Sequence, residues 1–83
     1  MTVQEAKNIL SQNWWKENPV WKDESDFFIG DIVKETFEDA EDFPNSYIIN
    51  VATVEKGKQP TEDDWDEMFV SKIDGHFGSI VYI

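Results

Sequence analysis

The sequence predicts one α+β domain over residues 1–83, with one or two N-terminal helices packed on a small, mainly antiparallel sheet formed by the C-terminal half. A chain of 83 residues suits a single domain with a small core. Apolar residues recur at helical spacing in the first half, and a largely apolar run rich in β-branched residues follows residue 46. Four Trp, six Phe and two Tyr supply large apolar side chains for the core.

The N-terminal segment is predicted to be a helix that begins with a capping box. Thr2 and Glu5 have the Thr-x-x-Glu spacing, in which a hydroxyl and a carboxylate each accept a free backbone N–H. Asn18 and Pro19 are expected to end the helix, because a residue before proline avoids helical backbone angles. The apolar face consists of Val3, Ala6, Ile9, Leu10 and Trp14.

A second helix is predicted over residues 26–42, where one broad helical face is apolar. That face comprises Phe28, Ile32, Val33, Thr36, Phe37 and Ala40. Gly30 weakens such a helix by about 1 kcal/mol relative to alanine. The alternative is a strand in "FFIGDIV". Strict alternation would place Asp31 on the same face as Ile29 and Val33, so we favour the helix.

The clearest strand is "YIINVATVEKG", residues 47–57, which follows the turn-forming residues "FPNS". Both of its faces are largely apolar, which predicts a position inside the sheet. Gly57 is expected to end the strand. One face holds Tyr47, Ile49, Val51 and Thr53, and the other holds Ile48, Asn50, Ala52 and Val54.

The segment "PTEDDWDEMFVSKIDG" has two interpretations. It is either a helix capped by Thr61 or a hairpin that turns at its Asp-Gly pair. We favour a combination: one capped helical turn at 61–67, with Trp65 pointing inward, followed by a strand from about residue 68. The closing "HFGSIVYI" is predicted to be a strand that offers Phe77, Ile80, Val81 and Ile83 for packing.

The charge of the chain is strongly one-sided. Eighteen acids oppose seven lysines, and the net charge is −11. Such a chain should repel bare nucleic acid and anionic membranes and attract basic proteins, although the charge could also serve solubility alone. No apolar run approaches the roughly 20 residues that span a bilayer, and no signal peptide is recognisable. With no cysteine, we expect a cytoplasmic protein.

No catalytic, cofactor or metal motif is recognisable. His76 is the only histidine, and "GHFGSIV" does not fit the Gly-x-Ser-x-Gly pattern of serine hydrolases. Glycine-rich phosphate loops are missing from the sequence. The acids of "PTEDDWDEMF" lack the spacing and the glycine of a calcium loop. We therefore expect no enzymatic activity, no cofactor and no specific metal site.

The acids are concentrated in residues 23–42, which hold nine, and in residues 62–67, which hold five. On the predicted second helix, four of them would form one stripe: Asp31, Glu35, Glu38 and Asp42. Asp39 and Glu41 would flank the stripe. The candidate partner-binding residues are therefore Asp31, Glu35, Glu38, Asp39, Asp42, Glu62, Asp63, Asp64, Asp66 and Glu67, with Trp15 and Trp21 as anchors.

These patterns favour a small acidic binding or inhibitor protein that docks on a basic protein surface. The stripe suggests mimicry of nucleic-acid phosphates to block a nuclease or a defence enzyme. One alternative is a toxin-specific immunity protein that binds its partner through Trp15, Trp21 or Trp65. Another is a housekeeping accessory domain whose charge only provides solubility. The inhibitor hypothesis gains most of its weight if the two acidic stretches share one face, and loses it if they lie on opposite sides.

Overall fold

The computed structural model describes residues 1–16 and 18–81. The first element is helix α1, Val3–Asn13, and it begins with the predicted capping box. The Thr2 hydroxyl accepts the Glu5 N–H at 3.1 Å, and the Glu5 carboxylate accepts the Thr2 N–H at 3.0 Å. Ala6 and Leu10 are fully buried. The capping signal and the apolar spacing thus predicted this helix correctly.

The predicted end of α1 is wrong, because the helix stops at Asn13 and not at Pro19. The Asn13 side chain donates a hydrogen bond to the Ile9 carbonyl at 2.7 Å. Asparagine commonly competes in this way with the helical backbone for hydrogen bonds. A turn follows, and after Pro19 the chain forms one short helix, α2, Trp21–Glu24.

The predicted helix over residues 26–42 is also wrong. Residues Ser25–Glu35 form strand β1, and the rest of the segment is a loop. The argument from strict alternation fails because the strand has a register shift between Ile29 and Ile32. Ile29 lies opposite Val51 and Ile32 lies opposite Ile49, so three steps of β1 match two steps of its neighbour. This β-bulge keeps both isoleucines on one face and leaves Asp31 exposed.

The predicted central strand is confirmed as β2, Ser46–Glu55. It pairs antiparallel with β1 on one side and with β3, Trp65–Ser71, on the other. Residues Ser46 to Ile49 are all buried, as expected for a strand that is covered on both faces.

The C-terminal segment combines the two interpretations, as predicted. A single 3₁₀ turn, Glu62–Asp64, is capped by Thr61 and leads directly into β3, which starts about three residues earlier than expected. Strand β4, Phe77–Ile80, pairs antiparallel with β3 after the hairpin. Val81 is 78% exposed, so it does not pack as expected, and Ile83 lies outside the described residues.

The sheet is a four-stranded antiparallel meander in the order β1-β2-β3-β4, with α1 packed on one side. We call this side the helix face and the other side the open face. The fold is therefore α+β, as predicted, although the sheet begins as early as Ser25. Within the described residues, no helix has the length and apolarity required to cross a membrane. The core on the helix face comprises Ala6, Leu10, Tyr47, Ile49, Val51, Met68 and Val70.

The open face is covered by its own side chains. Ile48 and Ala52 lie on the open face and are each 1% exposed, although helix α1 packs on the opposite face of the sheet. Phe69 packs over Gly78, where an added Cβ would approach its ring to 2.9 Å. Trp65 likewise lies over Gly30, so the expectation that Trp65 points inward is wrong, and its side chain is 37% exposed. Aromatic rings over glycines thus close a face without a second layer of helices.

Candidate functional site

The loop between β1 and β2, residues 36–45, is the most acidic surface of the described chain. It presents four carboxylates within five positions, and all four are exposed. We call this segment the acidic loop. Its carboxylates belong to Glu38, Asp39, Glu41 and Asp42. Because no helix forms here, backbone hydrogen bonds within the loop must set their positions.

The base of the acidic loop is held by a buried threonine. The Thr36 hydroxyl accepts the Ser46 N–H at 2.8 Å and donates to the Phe43 carbonyl. The Thr36 N–H in turn donates to the Ser46 carbonyl at 2.7 Å. The Asn45 N–H donates to the Phe37 carbonyl at 3.1 Å and closes the loop. These bonds give the carboxylates a fixed support.

Two residues near the end of the acidic loop have left-handed backbone angles. Phe43 has a φ of 50° and Asn45 a φ of 52°. Asparagine tolerates this region, but phenylalanine does so at a cost of about 1–3 kcal/mol, and such residues concentrate at functional sites. The Phe43 ring packs on Phe69 with 4.6 Å between centroids, which offsets part of the strain. The chain therefore accepts local strain to build this loop.

The predicted stripe of four acids does not form, because its residues lie on a strand and a loop. Asp31 is exposed on the bulge of β1, beside Asn50 and Trp65. Glu35 forms an ion pair with Lys72 at 2.7 Å, so its charge is compensated. Glu38 and Asp42, the other two members, are both in the acidic loop.

The acidic loop also carries an exposed phenylalanine. Phe37 is 59% exposed, and the Lys72 ammonium lies 4.2 Å from the centroid of its ring. The same ammonium is 5.5 Å from the ring of Tyr47. This end of the molecule therefore combines four free carboxylates with an accessible aromatic ring, a composition that suits a protein interface.

The second acidic stretch lies at the opposite end of the sheet. Glu62 and Asp63 are exposed on the 3₁₀ turn, whereas Asp64 has a structural role. The Asp64 carboxylate accepts the Thr61 N–H at 2.7 Å and the Thr61 hydroxyl at 3.0 Å. The 3₁₀ turn leads into Trp65, which pairs with Ala52, and six residue steps of β2 separate Ala52 from Ser46 at the acidic loop, or roughly 20 Å. The two acidic stretches therefore form two separate patches, so the shared acidic face that would have most favoured the inhibitor hypothesis does not form, and a charged contact would depend on one patch alone.

The neighbouring acids of β3 point to opposite faces of the sheet. Asp66 pairs with Val51 on the helix face, where it is exposed. Glu67 pairs with Asn50 on the open face, where it is half-buried. The sequence grouped these residues by proximity, but the alternation of a strand separates them.

Asp66 lines a cavity of about 180 Å³ between the helices and the sheet. Three aromatic residues line it as well, and their rings are nearly parallel. Trp14 lies 4.9 Å from Phe27 and 6.4 Å from Trp21, measured between ring centroids. We call this space the aromatic cavity.

The two tryptophans named as candidate anchors lie in different surroundings. Trp21 is half-buried and lines the aromatic cavity. Trp15 is half-buried outside it, with the Lys22 ammonium 4.5 Å from its ring centroid. Sequence reasoning placed Trp14 in the core and did not single out Phe27. The dense spacing of tryptophans around residues 14–21 was the one signal that pointed here.

Most acids lack a partner in the fold. Ten exposed carboxylates have neither a hydrogen bond nor an ion pair to any described residue. They belong to Asp23, Glu24, Asp31, Glu38, Asp39, Glu41, Asp42, Glu62, Asp63 and Asp66. Across residues 1–16 and 18–81, no group of three or more His, Asp or Glu side chains is placed to hold a metal ion.

Two other acids have clear structural roles. The Thr2 backbone N–H and hydroxyl lower the pKa of Glu5 below its ordinary value. The His76 backbone N–H and the Ser71 hydroxyl do the same for the pKa of Asp74. Both carboxylates therefore stabilise local turns in their charged form.

Comparison of the chain with protein-family models, with curated proteins and with solved structures finds no match. The functional argument therefore depends on the geometry and charge of the chain itself.

Proposed function

We propose that this protein is a small acidic inhibitor that docks its acidic loop on a basic surface of another protein. The observation that supports the proposal is the set of ten exposed carboxylates without a partner, of which four are on one anchored loop. The exposed ring of Phe37 beside them supplies an apolar contact. A nucleic-acid-binding enzyme has the kind of basic surface that this loop would fit.

The energetics support a positively charged partner. Two carboxylates about 6 Å apart repel by about 0.7 kcal/mol in water before salt screening. A domain of 83 residues has little stability to spare for several such pairs. A basic partner would remove the repulsion on binding. The fixed base of the loop would also reduce the entropy lost in the complex.

Two variants with the same change of charge test the proposal. The loop variant neutralises the acidic loop, and the opposite-end variant neutralises four equally exposed acids near the other end of β2. The loop variant is E38Q/D39N/E41Q/D42N. The opposite-end variant is D23N/E24Q/E62Q/D63N. The Lys56 N–H donates to the Glu24 carbonyl at 3.0 Å, which places Asp23 and Glu24 beside the end of β2 that is distant from the acidic loop.

The experiment starts with capture of partners from an extract of the source cell. Affinity for the captured protein is then measured between about 50 and 200 mM salt. We expect wild-type affinity to fall steeply with salt and the loop variant to associate at least about tenfold more slowly. The opposite-end variant should keep most of its affinity.

Three outcomes would count against the proposal. Equal losses in both variants would mean that total charge, and not the acidic loop, controls binding. Unchanged binding in both would favour a domain whose charge only provides solubility. A salt-independent affinity would exclude docking driven by charge.

Competition with DNA separates the two kinds of inhibitor. A mimic of nucleic-acid phosphates should be displaced from its partner by double-stranded DNA. An immunity protein that covers an active site need not be. A phosphate mimic needs carboxylates at regular spacing, and the helical stripe that would have provided that spacing does not form. Covering of a basic surface does not need regular spacing, so it is the simpler form of the proposal.

A further inference from the structure

We propose that the aromatic cavity binds a lysine or arginine side chain of the partner protein. The inference rests on the proposed function, because a basic partner supplies such side chains. It adds a second contact, far from the acidic loop and on the helix face of the sheet.

The cavity has a suitable size. Its volume is about 180 Å³. Apolar cavities of roughly 150 Å³ accept a ligand the size of benzene. The four-carbon stem of lysine with its ammonium group, or the stem and planar guanidinium of arginine, is of similar bulk. A whole folded segment would not fit.

The lining has the chemistry that recognises an organic cation. Trp14, Trp21 and Phe27 line the cavity with aromatic surface that can contact the alkyl stem. Because Trp14 is stacked on Phe27 and Trp21, the cation would use the ring faces outside these stacks, and tryptophan gives the strongest cation–π attraction. Met68 adds a polarisable thioether. Asp66 adds a carboxylate, and no described residue donates a hydrogen bond or forms an ion pair with it. A cation would therefore meet both aromatic surface and an opposite charge.

The chain already uses this type of contact elsewhere. The Lys22 ammonium lies 4.5 Å from the centroid of the Trp15 ring, and the Lys72 ammonium lies 4.2 Å from that of Phe37. At both positions a lysine of the chain itself covers a ring. In the aromatic cavity the described residues provide the rings and the carboxylate, and the side chains that line the cavity include no lysine.

A partner can reach the cavity from the edge of the sheet. A wider groove of about 430 Å³ shares Asp66 and Ser79 with the cavity and continues to Val81, which is 78% exposed. The groove runs beside β4, the edge strand. A segment of the partner that lies along this edge would direct a cationic side chain past Asp66 toward the tryptophans.

The test uses the isolated protein and small probes. N-acetyl-lysinamide and N-acetyl-argininamide are titrated, with N-acetyl-norleucinamide as the uncharged control, and the tryptophan indole N–H signals are followed by NMR. We expect saturable shifts of the Trp14 and Trp21 signals with both cationic probes and none with norleucinamide. Asp66→Asn should weaken binding by up to about fivefold, which is the upper end of what one exposed ionic partner contributes.

Two further variants serve as controls. Asp63→Asn makes the same change of charge away from the cavity and should bind the probes like wild type. Ser79→Leu fills the shared rim from an exposed position and should abolish the shifts. Thermal unfolding establishes that each variant is folded.

The inference is overturned if the shifts do not saturate, if norleucinamide produces them equally, or if D66N and D63N weaken binding to the same extent. Because the probes are measured without the partner, failure here leaves the acidic-loop experiment unaffected. Conversely, loss of salt-sensitive partner binding would refute the proposed function, while probe binding would still show that the cavity accepts cations.

Discussion

The Thr36 hydroxyl provides a direct test of how the acidic loop is held. Thr36→Val preserves the shape of the side chain and removes the hydroxyl. Thr36 is 9% exposed, and its hydroxyl accepts the Ser46 N–H at 2.8 Å while donating to the Phe43 carbonyl. Ser46 is 2% exposed, so water cannot easily replace the lost acceptor. A buried donor without a partner costs about 1–3 kcal/mol.

We therefore expect Thr36→Val to lower the free energy of unfolding by about 2 kcal/mol. The entropy of unfolding is about 2.1 cal/mol/K per residue, or roughly 0.17 kcal/mol/K for this chain, so Tm should fall by about 12 °C. The total stability expected for 83 residues is only about 4–12 kcal/mol. Loss of this one hydroxyl would therefore remove a substantial fraction of it.

The assay is thermal and urea unfolding followed by circular dichroism. Thr53→Val is the matched control, because Thr53 is an exposed threonine on the same strand as Ser46. The control should change stability by no more than about 0.5 kcal/mol. If Thr36→Val changes it equally little, the hydroxyl does not anchor the loop and the reasoning is refuted.

Three further predictions concern the core, the open face and the capping box. Leu10→Ala removes a fully buried side chain and should cost about 2–5 kcal/mol in urea unfolding; a cost below about 1 kcal/mol would contradict the packing of α1 on the sheet. Gly78→Ala places a methyl group 2.9 Å from the Phe69 ring and should cost about 1–3 kcal/mol, whereas no change in Tm would mean that the ring moves freely. The lowered pKa of Glu5 stabilises the fold above the unfolded value of about 4.3, and this contribution is lost as pH falls through the folded value. The Tm difference between wild type and Glu5→Gln should accordingly shrink below about pH 4, and a difference that grows there would disprove the role of the charge.

The acids illustrate where sequence reasoning about the site fails. Asp31, Glu35, Glu38 and Asp42 have helical spacing in the sequence, yet the spacing has no meaning on a strand followed by a loop. Glu35 forms an ion pair with Lys72, which is 37 residues away in the chain. The residues next to Glu35 in the sequence therefore could not predict that its charge is neutralised. Asp66 and Glu67 are adjacent but face opposite sides of the sheet. Of the acidic patterns in the sequence, only the high local density of acids in the acidic loop corresponds to a compact acidic surface in the structure.

The sequence alone determined the capped start of α1, the central strand β2 and the α+β class. These features depend on residues three or four apart, or on one uninterrupted apolar run bounded by turn-forming residues, so the local pattern contains the necessary information. Tertiary structure decided the rest. The bulge in β1 depends on its pairing with β2, and the aromatic cavity joins side chains from the end of α1, from α2 and from all four strands. Both depend on contacts between distant segments, which no local pattern specifies.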